Sequence, residues 1–138
     1  MPSLTVPASL EQLSLVNTYI REQIPHEYED VLSHVLLAAE ELLVNVFTHA
    51  YQGAHGRAEV DCRPVLHDGN EYLCFTVKDW GPAFDPFCEA PAPNLDLGIE
   101  ERPIGGLGIH LIKSLARHVR YTRVHDTNVV DLYFAKNT

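Results

Sequence analysis

The chain has 138 residues, the size of one domain, and a domain near this length buries roughly two thirds of its unfolded surface. It is 46% hydrophobic and 21% charged with a formal net charge of −9, which argues against a nucleic-acid partner, since that would need a basic stripe. Cys62, Cys74 and Cys88 are odd in number without C-x-x-C spacing, and no apolar run approaches the ~20 residues of a membrane span. With no basic-then-apolar leader either, a cytoplasmic domain with reduced, structural thiols is expected and neither a disulfide framework nor a zinc site.

Leu4 to Val6 reads as a short edge strand before Pro7. Ser9 follows as an N-cap, with Gln12 three residues on completing a capping box. The helix it opens sets Leu13, Val16, Ile20 and Ile24 on one face and stops before Pro25. Val31 to Tyr51 predicts a longer helix, free of Gly and Pro, with Val35, Ala39, Leu42 and Val46 at helical spacing on a core-facing stripe. Glu41 and Asn45 are i and i+4 on the flank of that stripe, stacked one above the other. An acid and an amide so placed can share one ligand, the acid taking a proton and the amide oxygen holding a hard cation. An ordinary solvated Glu beside a polar boundary Asn fits this helix equally well when it is taken alone.

Ala58 to Arg63 alternates apolar and polar residues, Pro64 and His67-Asp68-Gly69-Asn70 make a turn, and Tyr72 to Lys78 is a second strand. The two predict an antiparallel hairpin with a long loop. From Trp80 to Gly106 regularity is lost, with Pro82, Pro86, Pro91, Pro93 and Pro103 in the stretch. An irregular segment of that length is either disordered or functional, as a lid is. Leu107 to Arg117 resumes helical spacing through Leu107, Leu111, Ile112 and Leu115. Val119 to Val124 and Val129 to Ala135 are two last strands joined by Asp126-Thr127-Asn128. Helix, helix, strand pair, loop, helix, strand pair predicts a single α+β domain over residues 1–138. Its architecture is a two-layer sandwich, a mainly antiparallel mixed sheet with helices on one face.

Two glycine-bearing turns flank the irregular stretch. Asp79-Trp80-Gly81-Pro82-Ala83-Phe84-Asp85 follows a strand directly; an Asp there can accept a hydrogen bond from an exocyclic amine while a tight glycine turn passes a planar ring. A plain β-turn explains D-x-G as well. Gly105-Gly106-Leu107-Gly108 leads straight into a helix, where backbone N–H groups can converge on phosphate oxygens. No G-K-[ST] follows it and no G-x-G-x-x-G opens a βαβ unit, so two commoner nucleotide folds are unsupported.

In this order and spacing the three elements resemble the GHKL, or Bergerat-fold, ATP-binding superfamily of gyrase, heat-shock chaperone, histidine-kinase and mismatch-repair ATPases. E-x-x-x-N looks like its N box, D-x-G-x-x-F-D like its first glycine box, and G-G-L-G-I-H-L-I like its second. The helix ending HAY and the F-D-P after the first glycine box are most similar to the stand-alone serine/threonine kinases that act as anti-sigma factors in bacterial partner switching. The resemblance runs from about Val31 to Ala135.

That resemblance implies ATP and Mg²⁺ as cofactors, and roles position by position. Asn45 would coordinate magnesium and Glu41 would be the general base. Asp79 would bond the adenine amino group, with Gly81 giving the ring room and Ala83 in the same turn. Gly105, Gly106, Leu107 and Gly108 would present backbone donors to the phosphates, under a closing lid. Arg102 would reach the γ-phosphate, where a cation stabilises transition-state charge; a solvated lid Arg is the competing reading. His49, one turn beyond Asn45, either lines the phosphate pocket or packs. Ala83 departs from the glycine that many superfamily members carry. Nothing resembles a dimerisation helix with a phospho-acceptor His, and the chain is too short for a gyrase-type transducer domain. The implied activity is a Mg-ATP-dependent protein serine/threonine kinase that phosphorylates a small antagonist protein and sequesters a sigma factor. The partners are proteins, not nucleic acid or membrane, and kinases of this type are commonly homodimers. The alternative is a nucleotide-loaded module that holds a regulatory partner with little or no phosphotransfer.

Overall fold

The computed structural model describes residues 3–50, 56–89 and 106–136, with side chains for all of these except residues 89, 106 and 107. Five strands, β1 (Leu4–Pro7), β2 (Arg57–His67), β3 (Asn70–Asp79), β4 (His118–Val124) and β5 (Thr127–Phe134), form one sheet in the order β1-β2-β3-β5-β4. All four pairings are antiparallel, so among the described residues the sheet is more uniform than the mixed one expected. The helices α1 (Leu13–Gln23), α2 (Leu32–His49) and α4 (Gly106–Leu115) share a core with one sheet face. A single turn, α3 (Pro86–Glu89), follows β3. The α+β class is as the sequence implies.

Local chemistry sets most element ends. Ser9 accepts from the Glu11 N–H at 3.3 Å, but the turn it caps is 3₁₀ (Leu10–Gln12), and α1 starts only at Leu13. The predicted helix from Val31 to Tyr51 is a 3₁₀ turn, His26–Val31, continued by α2; Tyr51 lies outside the described residues. Val35, Ala39, Leu42 and Val46 are all buried, as their spacing requires. His26–His49 is in fact long and apolar enough to cross a membrane by length and composition, contrary to the expectation from the sequence, yet half of its apolar window is packed inside the protein. Such burial is what a core helix shows.

The β2–β3 hairpin turns in two residues, not through a long loop. His67 pairs with Asn70, and Asp68 (φ 50°) and Gly69 (φ 81°) are both left-handed, the geometry for which Asp-Gly is suited in a type I′ turn. Pro64 sits inside β2 opposite Leu73, beyond the last β1 pair at Val60. Among the described residues the strand has a neighbour on one side only there, which is where a residue lacking an N–H is tolerated. The stretch expected to be irregular after Trp80 includes α3, capped by Asp85, whose carboxylate accepts from the Phe87 N–H at 2.9 Å. On α4 the residues that go fully into the core are Ile109 and Ile112, while Leu111 and Leu115 are half-buried. Of the expected positions whose side chains are described, Ile112 is the one fully buried, and Ile109 joins it.

Candidate functional site

Sheet register brings the polar residues of the site together. Asp79 ends β3 and is paired with Asn128 of β5, which is paired in turn with Arg123 of β4. Asp79 and Asn128 are 5% and 2% exposed. The Asn128 amide donates to Asp79 Oδ1 at 2.8 Å and to the Pro82 carbonyl at 2.9 Å, while its own oxygen accepts from the Phe84 N–H at 3.3 Å and from the Tyr121 hydroxyl. Gly81 N–H donates to the same Asp79 Oδ1 at 3.0 Å. One carboxylate oxygen and one carboxamide thus lock the turn after β3, and the other Asp79 oxygen has no hydrogen-bond partner among the described residues.

Asn128 was not among the residues picked out from the sequence, which placed it in a turn. The turn is His125-Asp126, and Asn128 lies inside β5. Its signal was the period of two: Val130, Leu132 and Phe134 point into the core, and the same alternation carried one step back puts Asn128 on that face.

Asn45 faces this network from α2. It is 5% exposed, and its Nδ2 is buried without a hydrogen-bond partner. A buried donor left unmade costs about 1–3 kcal/mol, so it marks a group poised for something not present. Asn45 and Asp79 line one crevice with Val46, His49, Phe84 and Asn128, and about 10 Å³ of it is open, room for roughly one water. The His49 ring stacks on Phe84 with centroids 5.2 Å apart, walling the crevice; the residue both lines and packs. Roomier hollows of about 200 Å³ and 350 Å³ lie between α1 and α2 and beside His34, Arg117 and Lys136. Neither is lined by a candidate site residue, whereas the smaller crevice holds Asn45 and Asp79.

Glu41 is half-buried one turn before Asn45. A Cβ added to Gly108, in the first turn of α4, would stand 2.7 Å from Glu41 Oε2. The acid therefore lies against the end of α4 where backbone N–H groups are unsatisfied and the helix dipole is positive. Gly81 has a different reason to be glycine: an added Cβ would meet the Ala50 backbone, at 2.9 Å from its carbonyl carbon. The space left by its missing side chain is filled by the end of α2, not by room for a ring. Ala83 is exposed on the turn and outside the crevice lining. Arg102 and Gly105 lie outside the described residues, as do the side chains of Gly106 and Leu107; the backbone of those two begins α4.

The profile described as the histidine kinase-like ATPase domain matches residues 6–134. Among solved structures, one that contains the RsbU and RsbW domains of Rv1364c from Mycobacterium tuberculosis aligns with a TM-score of 0.56 at 14% identity, over 99% of this chain and 33% of that one. The histidine kinase domain from the Erythrobacter litoralis EL346 blue-light activated histidine kinase aligns with a TM-score of 0.50 at 20% identity, over 95% and 62%. The chain thus spans about a third and about three fifths of those two, and at such identities they show a shared fold. No curated protein matches it significantly.

Proposed function

The chain belongs to the histidine kinase-like ATPase domain family, and on that premise we propose that it is a Mg-ATP-dependent protein serine/threonine kinase of a bacterial partner-switching system. Its substrate is a hydroxyl on a small antagonist protein, and the same surface holds a sigma factor, in the cytoplasm. The observation that carries the reading is the single crevice lined by both Asn45, whose Nδ2 is buried without a hydrogen-bond partner, and Asp79. Glu41 stands one turn away against α4. Support for the partner-switching assignment comes from the HAY and F-D-P sequences and from the fold shared with a structure that includes an RsbW domain.

The donor set suits a magnesium-bound adenine nucleotide, whose base enters only if the crevice, open by about 10 Å³ as it stands, widens. Asp79 accepts from the exocyclic amine with the oxygen that Gly81 and Asn128 leave unused. Asn45 would hold the ion through its carbonyl oxygen, and Mg²⁺ is commonly held by few protein ligands. When bound, the ion neutralises charge building on the phosphates. The first-turn N–H groups of α4, from Gly106 through Gly108, hold phosphate oxygens. Glu41 takes the proton of the attacking hydroxyl as its oxygen bonds to the γ-phosphorus; the bond from that phosphorus to the bridging oxygen breaks, and ADP leaves with the electron pair. Arg102, outside the described residues, would supply the cation that stabilises charge on the transferred group.

Glu41→Ala is the direct test. The variant is expected to bind Mg-ATP within about threefold of wild type and to lose transfer by at least about 10²-fold, the usual scale of a general base. Equilibrium nucleotide binding and radiolabel transfer to a cognate antagonist read the two quantities. Equal transfer by variant and wild type removes Glu41 as the base. Binding without transfer in the wild type supports instead a nucleotide-loaded module, which has no use for this acid.

A further inference from the structure

We propose that Arg123, which nothing in the family's motifs singles out, is a positioning residue for the base end of the nucleotide site. The proposal rests on the adenine-binding reading of Asp79 given above. Arg123 lies on β4, on the same sheet face as Asn128 and Asp79, and its Nη1 donates to the Gly81 carbonyl at 2.8 Å. Its Nε donates to the His125 carbonyl at 3.1 Å, which fixes the fork of the guanidinium. Gly81 is buried, and a buried carbonyl requires a partner. The only other donor to it among the described residues, Asn128 Nδ2, is at 3.4 Å and already serves Asp79 and Pro82 at shorter range.

The strong bond on Gly81 O is therefore the arginine's. The turn it holds ends at Phe84, whose ring walls the crevice beside Asp79 and stacks on His49. Without Arg123 the turn keeps Asn128 at Pro82 and Phe84 and the Gly81 N–H on Asp79, but loses the short bond on the Gly81 carbonyl. The wall then moves relative to the free Asp79 oxygen. Glu41 and the phosphate end of the site, on α2 and α4, are untouched. Arg123 thus acts through the turn, on the base and not on the phosphates.

Arg123→Met keeps the aliphatic stem and deletes both donors; Arg123→Lys restores one. Affinities for adenosine, ADP and Mg-ATP are measured by calorimetry, and transfer kinetics follow with ATP varied. Loss of one anchoring hydrogen bond predicts a three- to tenfold weakening, by the same factor for all three ligands, with KM for ATP raised alike and kcat held within twofold. Arg123→Lys is expected within about twofold of wild type. Arg120→Ala serves as a control from the same strand, since Arg120 bonds Asp131 on the other sheet face, and leaves adenosine affinity unchanged. Arg123→Gln replaces the methionine variant if that one does not fold. Unchanged affinity in the variants, or a loss confined to ATP that spares adenosine, overturns the role of Arg123 while leaving the nucleotide reading intact. A wild type that binds neither adenosine nor ATP overturns both.

Discussion

Gly81 and Gly108 are both tight, but what each would meet on gaining a methyl group differs, and that difference predicts opposite phenotypes. At Gly81 the obstacle is the Ala50 backbone at the end of α2, which shifts only if the helix does. Gly81→Ala is expected to lose about 1–3 kcal/mol of stability, on the scale of an overpacked core, read as a lowered urea midpoint. At Gly108 the obstacle is the carboxylate of Glu41, the far end of a flexible side chain that can rotate away. Alanine also favours a helix over glycine by about 1 kcal/mol. Gly108→Ala should therefore melt within a few degrees of wild type, yet lose phosphotransfer by at least tenfold, because the acid and the first turn of α4 no longer share their spacing. A Gly108→Ala protein that melts low, or one that transfers at the wild-type rate, refutes this account of the position.

At the scale of elements, the β4–β5 hairpin carries the least expected part of the site. Its turn places His125 at φ 55°, a conformation in which a side chain is strained and glycine is not. His125→Gly is expected to raise stability by about 0.5–1 kcal/mol, seen as a higher melting temperature; a lower one would mean that the imidazole holds the turn by a contact. Asp68-Gly69 announces its own turn, whereas Val124-His125-Asp126-Thr127 has no glycine to mark one, so local sequence points to residues 126–128 and hides Asn128 as a strand residue. The long helix, by contrast, was legible because four apolar residues at spacings of three and four all had to go inside. The glycine boxes were legible as motifs but not as geometry. Local sequence shows that a turn after Asp79 is tight, while only the register of β3, β5 and β4 reveals that Asn128 and Arg123 hold it.

For the molecule as a whole, the described helices pack on one face of the sheet, and the other face buries a small layer of the sheet's own side chains. Asp131 is 4% exposed there, accepting from Thr76 at 2.6 Å and from both the Nε and Nη2 of Arg120, with Cys74 beside them. Each face hides a thiol: Cys62 toward the helices and Cys74 on the outer side, both buried, while Cys88 is exposed. Burial first, and then the neighbouring Asp61 carboxylate, pushes Cys62 from 9.0 up to about 12. Burial likewise pushes Cys74 from 9.0 to about 11, against the opposing bond from Thr76. Below pH 9 both thiols are protonated in the folded and the unfolded chain, and their contribution to stability is complete. Above pH 9 the unfolded chain releases two protons that the folded one retains, so stability falls by about 1.4 kcal/mol per pH unit for each thiol until the folded values are reached. Urea unfolding at pH 8 and pH 10.5 should therefore differ by roughly 2–4 kcal/mol from these two groups. The double variant Cys62→Ala Cys74→Ala starts less stable at pH 8 because of the volume it loses, but should decline more shallowly with pH. An identical decline in variant and wild type would assign the alkaline loss to other groups, Tyr19 first among them, since burial and Asp61 raise its hydroxyl from 10.0 to about 12.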